Sequence, residues 1–331
     1  MVGPGRSGTA DGSQRESDVE TRSIGSLKVS LVGLGCNNFG MRMDEERSAA
    51  VVHAALDAGI TLFDTADSYG GTKSEEFLGR APAGHRDEVV VATKFASPLG
   101  EPGHGGASAR WIAQAAEDSL RRLGTDHIDL YQQHFPDDSV PSEETLGALN
   151  ELVTAGKVRQ IGNSNFSGEQ IAAADAVSRD HGWARFVSAQ NQLSLISTGA
   201  RHRVIPACEE HGLALLPYFP LGSGLLTGKY RRDAAPPAGT RLSMLPEERA
   251  AQMLSEQNFD RVDALTAYAE GRGHTILELA FAWLAALPTL ASVIAGATSA
   301  EQIAANVAAV DWQLSDDELA EVDAILAAHR K

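Results

Sequence analysis

The feature of this 331-residue chain that most constrains its fold is a repeated alternation of short apolar strands with amphipathic helices. Strands are predicted at 31–34, 61–64, 88–94, 127–134, 157–162, 186–191, 213–217 and 292–294. Helices are predicted at 45–58, 73–80, 108–123, 142–154, 167–179, 199–211, 275–286 and 299–309. The chain therefore contains about eight β–α units, the number that closes a parallel (β/α)8 TIM barrel of roughly 250 residues.

Three segments lie outside this repeat. A hairpin is predicted over 22–30 around Gly25 and Ser26, and a last helix over 315–329 opens with Ser315 and Glu318 in capping-box spacing. Between the seventh strand and its helix lies a long insertion, 222–273, with a helical stretch near 247–268. Such an insertion is either a tolerated surface loop or a flap, and its place at the carboxyl end of a strand favours a flap.

Composition narrows the class of protein. A net charge of −16 and a pI near 5.0 argue against nucleic-acid binding, so the expected partner is a small molecule. Cys36 and Cys208 offer neither a disulfide framework nor metal-ligand spacing, so no metal site is predicted, and no apolar run approaches a membrane span. These features favour the cytoplasm, while the oligomeric state stays open. Residues 1–21 are interpreted as a disordered or vector-derived tail before one domain, 22–331.

Four residues at predicted strand ends form an acid–base group: Asp64, Tyr69, Lys94 and His134. Parallel strands of a barrel end at a common mouth, so these side chains are expected to lie together. A tyrosine has a reference pKa of about 10, so it needs a neighbouring ammonium to act as a general acid near neutral pH, and a carboxylate keeps that ammonium charged. Taken singly, each residue is more often a cap, a surface charge or a buried imidazole.

A second arrangement of the same residue types has to be weighed. Tyr69 and Lys73 form a Tyr-x-x-x-Lys pair, as in short-chain dehydrogenases, and Gly33 and Gly35 begin a turn typical of dinucleotide-binding folds. The next glycine of that fingerprint is replaced by Asn38, and the doubly wound pattern is missing. The barrel is therefore the better interpretation.

Six segments of the chain resemble the aldo-keto reductase superfamily, in family order and over 22–329. They are LFDTADSYG (62–70), ATK (92–94), DLYQQH (129–134), IGNSNF (161–166), YFPLGSGLLTGKY (218–230) and GATSAEQ (296–302). The resemblance implies a (β/α)8 barrel that binds NADP(H) and reduces aldehydes and ketones. It also implies that Tyr69 is the general acid, that Lys94 lowers its pKa, that Asp64 pairs with Lys94 and that His134 orients the substrate carbonyl.

The resemblance further implies a set of cofactor residues. Ser164, Asn165 and Gln190 match hydrogen-bond partners of the nicotinamide carboxamide, and Tyr218 matches the aromatic residue stacked on the nicotinamide ring. The loop over the pyrophosphate is matched by Leu221, Gly222, Ser223 and Gly224, with Lys229 and Arg241 as its cations. The adenosine end is matched by Gly296, Thr298, Gln302 and Asn306.

The chain departs from the family pattern in places that affect specificity. Segment 296–306 has no Arg or Lys against a 2′-phosphate, and Ala305 stands where an acidic residue often contacts adenine. NADP(H) is the expected cofactor, with NAD(H) possible. Phe135 replaces a common tryptophan beside the substrate. The expected substrate loops, 97–107, 136–141 and 193–202, carry no clear charge pattern, so sugars, simple aldehydes and secondary-metabolite ketones all stay open.

A non-catalytic alternative comes from the β subunits of voltage-gated potassium channels, which the chain also resembles. They share the long seventh loop and many of the cofactor positions. Their sequences generally lack the histidine of the acid–base group, whereas His134 is present here. An enzyme is therefore favoured over a nucleotide-binding regulatory subunit.

Overall fold

Eight parallel strands form the centre of the molecule, as the β–α alternation predicts. The computed structural model describes residues 19–82, 84–97 and 105–329. After the hairpin strands β1 (Thr21–Ile24) and β2 (Leu27–Ser30), the barrel consists of β3 (Val32–Gly35), β4 (Leu62–Asp64), β5 (Val90–Phe95), β6 (Ile128–Gln133), β7 (Val158–Ser164), β8 (Phe186–Gln192), β9 (Ala214–Tyr218) and β10 (Val293–Gly296). These pair in the order β10-β3-β4-β5-β6-β7-β8-β9. Backbone hydrogen bonds from Leu215 N to Thr289 O (2.7 Å) and from Ala291 N to Leu215 O (3.0 Å) bring the two edges together.

Helices surround this barrel and cover its outer face. They are α1 (Glu45–Asp57), α2 (Lys73–Arg80), α3 (Ala109–Leu123), α4 (Ser142–Thr154), α5 (Gly168–His181), α6 (Gly199–Arg203), α7 (Ile205–His211), α8 (Glu247–Met253), α9 (Glu256–Glu270), α10 (Ile276–Ala285), α11 (Ala300–Ala308) and α12 (Asp316–Ala328). The predicted caps Asp44 and Ser315 are confirmed, since their side chains accept from the backbone N–H groups of Arg47 and Glu318. None of the helices described is long and apolar enough to cross a bilayer.

The predicted hairpin closes the amino-terminal end of the barrel. Ile24, Leu27 and Val29 are buried in one apolar cluster with side chains from the starts of several strands, including Leu62 and Val90. This apolar cluster fills that end, and the opposite end, where the strands finish, is the one left for a site.

Two predicted helices are each divided in the structure. The stretch 199–211 breaks at Val204, because Pro206 has no N–H to donate to the preceding turn. The stretch 247–268 breaks at Leu254, and Ser255 then caps a new helix. The predicted tail also ends earlier than expected, because Thr21 pairs with Ser30 in the hairpin. Residues 1–18 of that tail, and 98–104 of the first substrate loop, lie outside the described residues.

Candidate active site

The four acid–base residues meet at the carboxyl end of the barrel. Asp64 is the last residue of β4, Lys94 lies near the end of β5, and His134 directly follows β6. Tyr69 lies in the loop between β4 and α2. The structure therefore brings together all four residues that the sequence predicted as one group.

Lys94 is the centre of this group, and its side chain has no exposed surface. Its Nζ donates to Asp64 Oδ1 at 2.6 Å, to the Thr65 carbonyl at 2.8 Å and to the Tyr69 hydroxyl at 3.3 Å. Burial alone would lower the pKa of Lys94, but the Asp64 carboxylate and Tyr69 raise it above its usual value. The lysine is therefore positively charged, and its ammonium lies next to the tyrosine oxygen.

Two buried amide side chains hold the other oxygen of Asp64. Gln190 Nε2 donates to Asp64 Oδ2 at 2.7 Å, and Gln132 Nε2 donates to the same atom at 3.2 Å. Sequence reasoning missed Gln132, although strand alternation carries the signal: it lies two residues before His134, so both point into the barrel. These donors fix the carboxylate that faces Lys94.

The phenol of Tyr69 stays protonated, so Tyr69 can act as a proton donor. Burial raises its pKa, Lys94 opposes that rise, and Asp64 adds to it. The lysine thus acts on the tyrosine in the predicted direction, but the cost of burying phenolate is larger and the pKa stays above its usual value. The phenol is protonated at neutral pH and can give its proton to a developing alkoxide.

His134 is neutral, and two serines orient its ring. Burial, followed by the Lys94 charge, lowers the pKa of His134 to about 3. Its Nδ1 lies 2.7 Å from Ser97 Oγ, which accepts in turn from Ser68 Oγ at 3.1 Å. This direction makes Ser97 the donor to Nδ1 and leaves Nε2–H as the free donor of the imidazole. The Phe135 ring stacks on the imidazole, with the ring centroids 4.6 Å apart. The role of both serines was not predicted from the sequence.

A cavity of about 720 Å³ opens above these residues. Of the residues predicted for catalysis or cofactor binding, the following line it: Asp64, Tyr69, His134, Ser164, Asn165, Gln190, Tyr218, Leu221, Ser223, Gly224, Lys229, Arg241, Gly296, Thr298, Gln302 and Asn306. Lys94 and Gly222 do not: Lys94 lies beneath Tyr69, and Gly222 is buried against Ile196. Arg42, Asn37 and Asn38 also line the cavity, and sequence reasoning did not assign them to it.

The predicted nicotinamide residues form one hydrogen-bonded group at the cavity wall. Ser164 Oγ donates to the Gln190 carbonyl at 2.9 Å, and Asn165 Nδ2 donates to the His134 carbonyl at 3.0 Å. The Tyr218 hydroxyl donates to Asn165 Oδ1 at 2.7 Å. Asn165 has a φ of 63°, in the left-handed region that asparagine adopts more readily than most residues with a side chain.

The insertion after β9 covers one side of the cavity, which supports the flap interpretation. Its first residues, Gly222–Thr227, form short 3₁₀ turns interrupted at Ser223 and Gly224, whose φ values are 56° and 92°. Arg241 returns from further along the insertion and places its guanidinium carbon 4.4 Å from the centre of the Phe219 ring. The insertion therefore folds back to the end of β9 at the cavity.

The residues present fit a pyridine dinucleotide. A Cβ on Gly224 would lie only 2.6 Å from Lys229 Nζ, so this glycine leaves room for the lysine to reach over the loop. Among the described residues, neither Lys229 nor Arg241 forms an ion pair with a carboxylate. Both side chains can therefore bind a phosphate without breaking an ion pair.

The predicted adenosine end lies where β10 gives way to α11. Ser299 caps α11, and Gln302 Oε1 accepts from the backbone N of Thr298 at 2.8 Å. The helix start offers backbone donors to an anion, although segment 296–306 itself contains no cation.

Comparison with known proteins agrees with this architecture. The model of the family described as "Aldo/keto reductase family" matches residues 31–327. An "Uncharacterized oxidoreductase YrpG" of Bacillus subtilis (strain 168) is 35% identical over 303 residues, covering 88% of this chain and 90% of the relative. "Aldo-keto reductase YhdN" of the same organism is 34% identical over 308 residues, 91% of each chain. A "Probable voltage-gated potassium channel subunit beta" of Oryza sativa subsp. japonica is 33% identical over 294 residues, 86% of this chain and 88% of the relative. The similarity thus extends over nearly whole chains.

Proposed function

Because this chain belongs to the aldo/keto reductase family and is therefore an oxidoreductase, we propose that it reduces an aldehyde or ketone to an alcohol with NADPH. The observation that carries the proposal is the Tyr69 hydroxyl at the cavity wall, hydrogen-bonded to a buried, charged lysine. The proposed partner is a small carbonyl compound. NADPH is preferred, and NADH is a weaker substitute.

When bound, the reduced nicotinamide supplies the hydride that reaches the carbonyl carbon. Tyr69 gives its proton to the carbonyl oxygen, so that one hydride and one proton together convert C=O to CH–OH. Lys94 stabilises the phenolate that remains on Tyr69, and Asp64 keeps Lys94 charged and in place. Each of these charges is buried, where electrostatic interactions are stronger than in water.

His134 orients the substrate before the proton moves. A neutral imidazole with a free Nε2–H can donate to the carbonyl oxygen without competing with Tyr69 as the acid. The rings of Tyr69 and His134 are 5.8 Å apart at nearly right angles, so a carbonyl oxygen placed between them can accept from both. This arrangement favours one approach of the carbonyl to the hydride donor.

The second candidate function is a nucleotide-binding regulatory subunit. Two relatives, from Oryza sativa subsp. japonica and Arabidopsis thaliana, carry the name of a potassium channel β subunit and are 33% and 32% identical to this chain. The complete acid–base group favours the enzyme instead. A regulatory subunit would bind the dinucleotide stoichiometrically without turning over.

A carbonyl panel tests the proposal. Purified protein is mixed with NADPH or NADH and a series of aldehydes, ketones and sugars, and the loss of reduced-nicotinamide absorbance is followed. We expect many turnovers on at least one carbonyl and a higher kcat/KM with NADPH. Tight binding of NADPH with no more than one turnover on every carbonyl would contradict the enzyme and favour the regulatory alternative.

A further inference from the structure

Three cations from two distant segments converge on the cavity. Arg42 lies between β3 and α1, whereas Lys229 and Arg241 belong to the insertion after β9. All three line the same cavity in a chain whose net charge is −16. A local concentration of positive charge in so acidic a protein requires an explanation.

None of the three forms an ion pair with a carboxylate in the described part of the chain. Arg232, also in the insertion, behaves differently, since it contacts Glu256, Asp260 and Asp263. Burial, followed by repulsion from Arg42, lowers the pKa of both Lys229 and Arg241. Bringing three like charges together is unfavourable unless an anion joins them.

Arg42 also connects the elements around the cavity. One end of its guanidinium donates to the Gly239 carbonyl in the insertion, 197 residues away in sequence. The other donates to Asn38 Oδ1 at 3.4 Å. Asn38 in turn lies against Gly296, where a Cβ would be only 3.3 Å from Asn38 Nδ2. Arg42 thus lies between the insertion and the start of the segment that lacks its own cation.

We propose that Arg42 is a phosphate-binding residue of the dinucleotide site and holds the insertion over the bound phosphate through Gly239. The proposal rests on the proposed function, since it takes the dinucleotide as the ligand. A guanidinium offers several donors in a fixed plane, so Arg42 can keep its carbonyl contact while binding a phosphate oxygen. The shared chemistry is phosphate, whether the pyrophosphate or the 2′-phosphate of the adenosine.

The test measures cofactor binding without turnover. NADPH and NADH are titrated into parent protein, Arg42→Gln and Arg42→Met, and the quenching of protein fluorescence gives each Kd. Loss of one charge-assisted contact should weaken NADPH binding about 10- to 100-fold. Weaker binding of both dinucleotides identifies the pyrophosphate as the partner, and weaker binding of NADPH alone identifies the 2′-phosphate. Unchanged Kd values for both in either folded variant would overturn the proposal.

Two further variants separate this role from general effects. Arg231→Gln removes an exposed charge from the same insertion outside the cavity, so its Kd values should match the parent. Arg42→Lys keeps the positive charge without the planar guanidinium, so its NADPH affinity should lie between those of the parent and Arg42→Gln; a lysine variant as weak as Arg42→Gln would overturn a charge role. If the parent binds neither dinucleotide, the proposed function fails. If the parent binds and Arg42→Gln binds equally well, only this inference fails.

Limited proteolysis tests the contact with the insertion. In the parent, NADPH should protect the exposed chain around Gly239 from cleavage, because the bound phosphate and Gly239 share Arg42. At saturating NADPH, Arg42→Gln should lose much of that protection, while Arg231→Gln should keep it. Equal protection in all three proteins would overturn the positioning part of the proposal.

Discussion

The ammonium of Lys94 lies 3.3 Å from the hydroxyl of Tyr69, although 25 residues separate them in the chain. The contact exists because β4 and β5 are adjacent parallel strands whose carboxyl ends meet. It directs a buried positive charge at a hydroxyl whose residue also lines the cavity. The first two predictions follow from this pair.

Replacing Tyr69 with phenylalanine should remove the proton donor and leave the cavity wall intact. Because the hydroxyl acts in the transition state, kcat should fall by about 10² to 10⁴-fold, with cofactor affinity close to that of the parent. Steady-state kinetics and NADPH titration measure the two effects. Tyr131→Phe is the matched control, since its hydroxyl is buried outside the cavity. A Tyr69→Phe enzyme that keeps more than half the parent rate, with hydride transfer limiting, would exclude Tyr69 as the acid.

Lys94→Met should impair turnover more than Asp64→Asn, because the lysine acts on the phenol directly. It should also destabilise the fold, since removing one partner of a buried ion pair typically costs about 3–5 kcal/mol. The double variant Lys94→Met/Asp64→Asn should recover much of that loss and remain inactive. Urea denaturation and kcat measure the two properties separately. Parent-like turnover in a correctly folded Asp64→Asn would remove the carboxylate from the mechanism.

Asp67 should make stability depend on pH. Burial, reinforced by Glu75, raises its pKa to about 7, and neither carboxylate oxygen meets hydrogen-bond geometry with a described partner. Because the folded-state pKa is above the unfolded value, the folded protein retains the proton, and its stability decreases as pH rises from about 4 to 7. The decrease is at most about 4 kcal/mol, from a difference of roughly three pKa units. Chemical denaturation from pH 5 to 8 should show that the free energy of unfolding decreases less steeply with pH in Asp67→Asn than in the parent.

Exposed Asp180 provides the control for this pH dependence. Asp180→Asn should follow the parent curve at every pH. The comparison concerns slope rather than absolute stability, because a buried amide without partners has its own cost. Parallel curves for Asp67→Asn and the parent would rule out Asp67 as the titrating group.

Arginine at Thr298 should widen the preference for NADPH over NADH. Segment 296–306 offers backbone donors and hydroxyls but no cation, and one charge-assisted pair is worth roughly 1.5 to 3 kcal/mol, or about one to two decades of affinity. Fluorescence titration of both cofactors against the parent and Thr298→Arg gives the ratio. Thr154→Arg, which adds the same charge at the end of α4, should leave it unchanged. If Thr298→Arg also leaves it unchanged, the 2′-phosphate does not bind at this segment.

Much of the fold was readable from the sequence because its determinants are local. Apolar periodicity, caps such as Asp44 and Ser315, and the spacing of the β–α units predicted the barrel, the hairpin and the position of the insertion. Asp64, Lys94 and His134 were predictable as neighbours because each lies at or beside the end of a parallel strand, and the ends of such strands share one mouth. The helix breaks at Val204 and Leu254 were missed, although Pro206 and Ser255, which follow them, are local signals of a break.

Only the tertiary structure decided which side chains complete the site. Gln132 binds Asp64 because the register of β6 places its amide opposite β4, and Ser97 contacts His134 because two loops meet above separate strands. Arg42 reaches Gly239 across 197 residues because the insertion folds back over the barrel. Local sequence patterns show the periodicity of a strand or helix. Contacts between distant segments depend instead on the register of the strands and on the conformation of the loops. The sequence by itself therefore determined where the site lies, and the packing of distant segments determined which residues surround it.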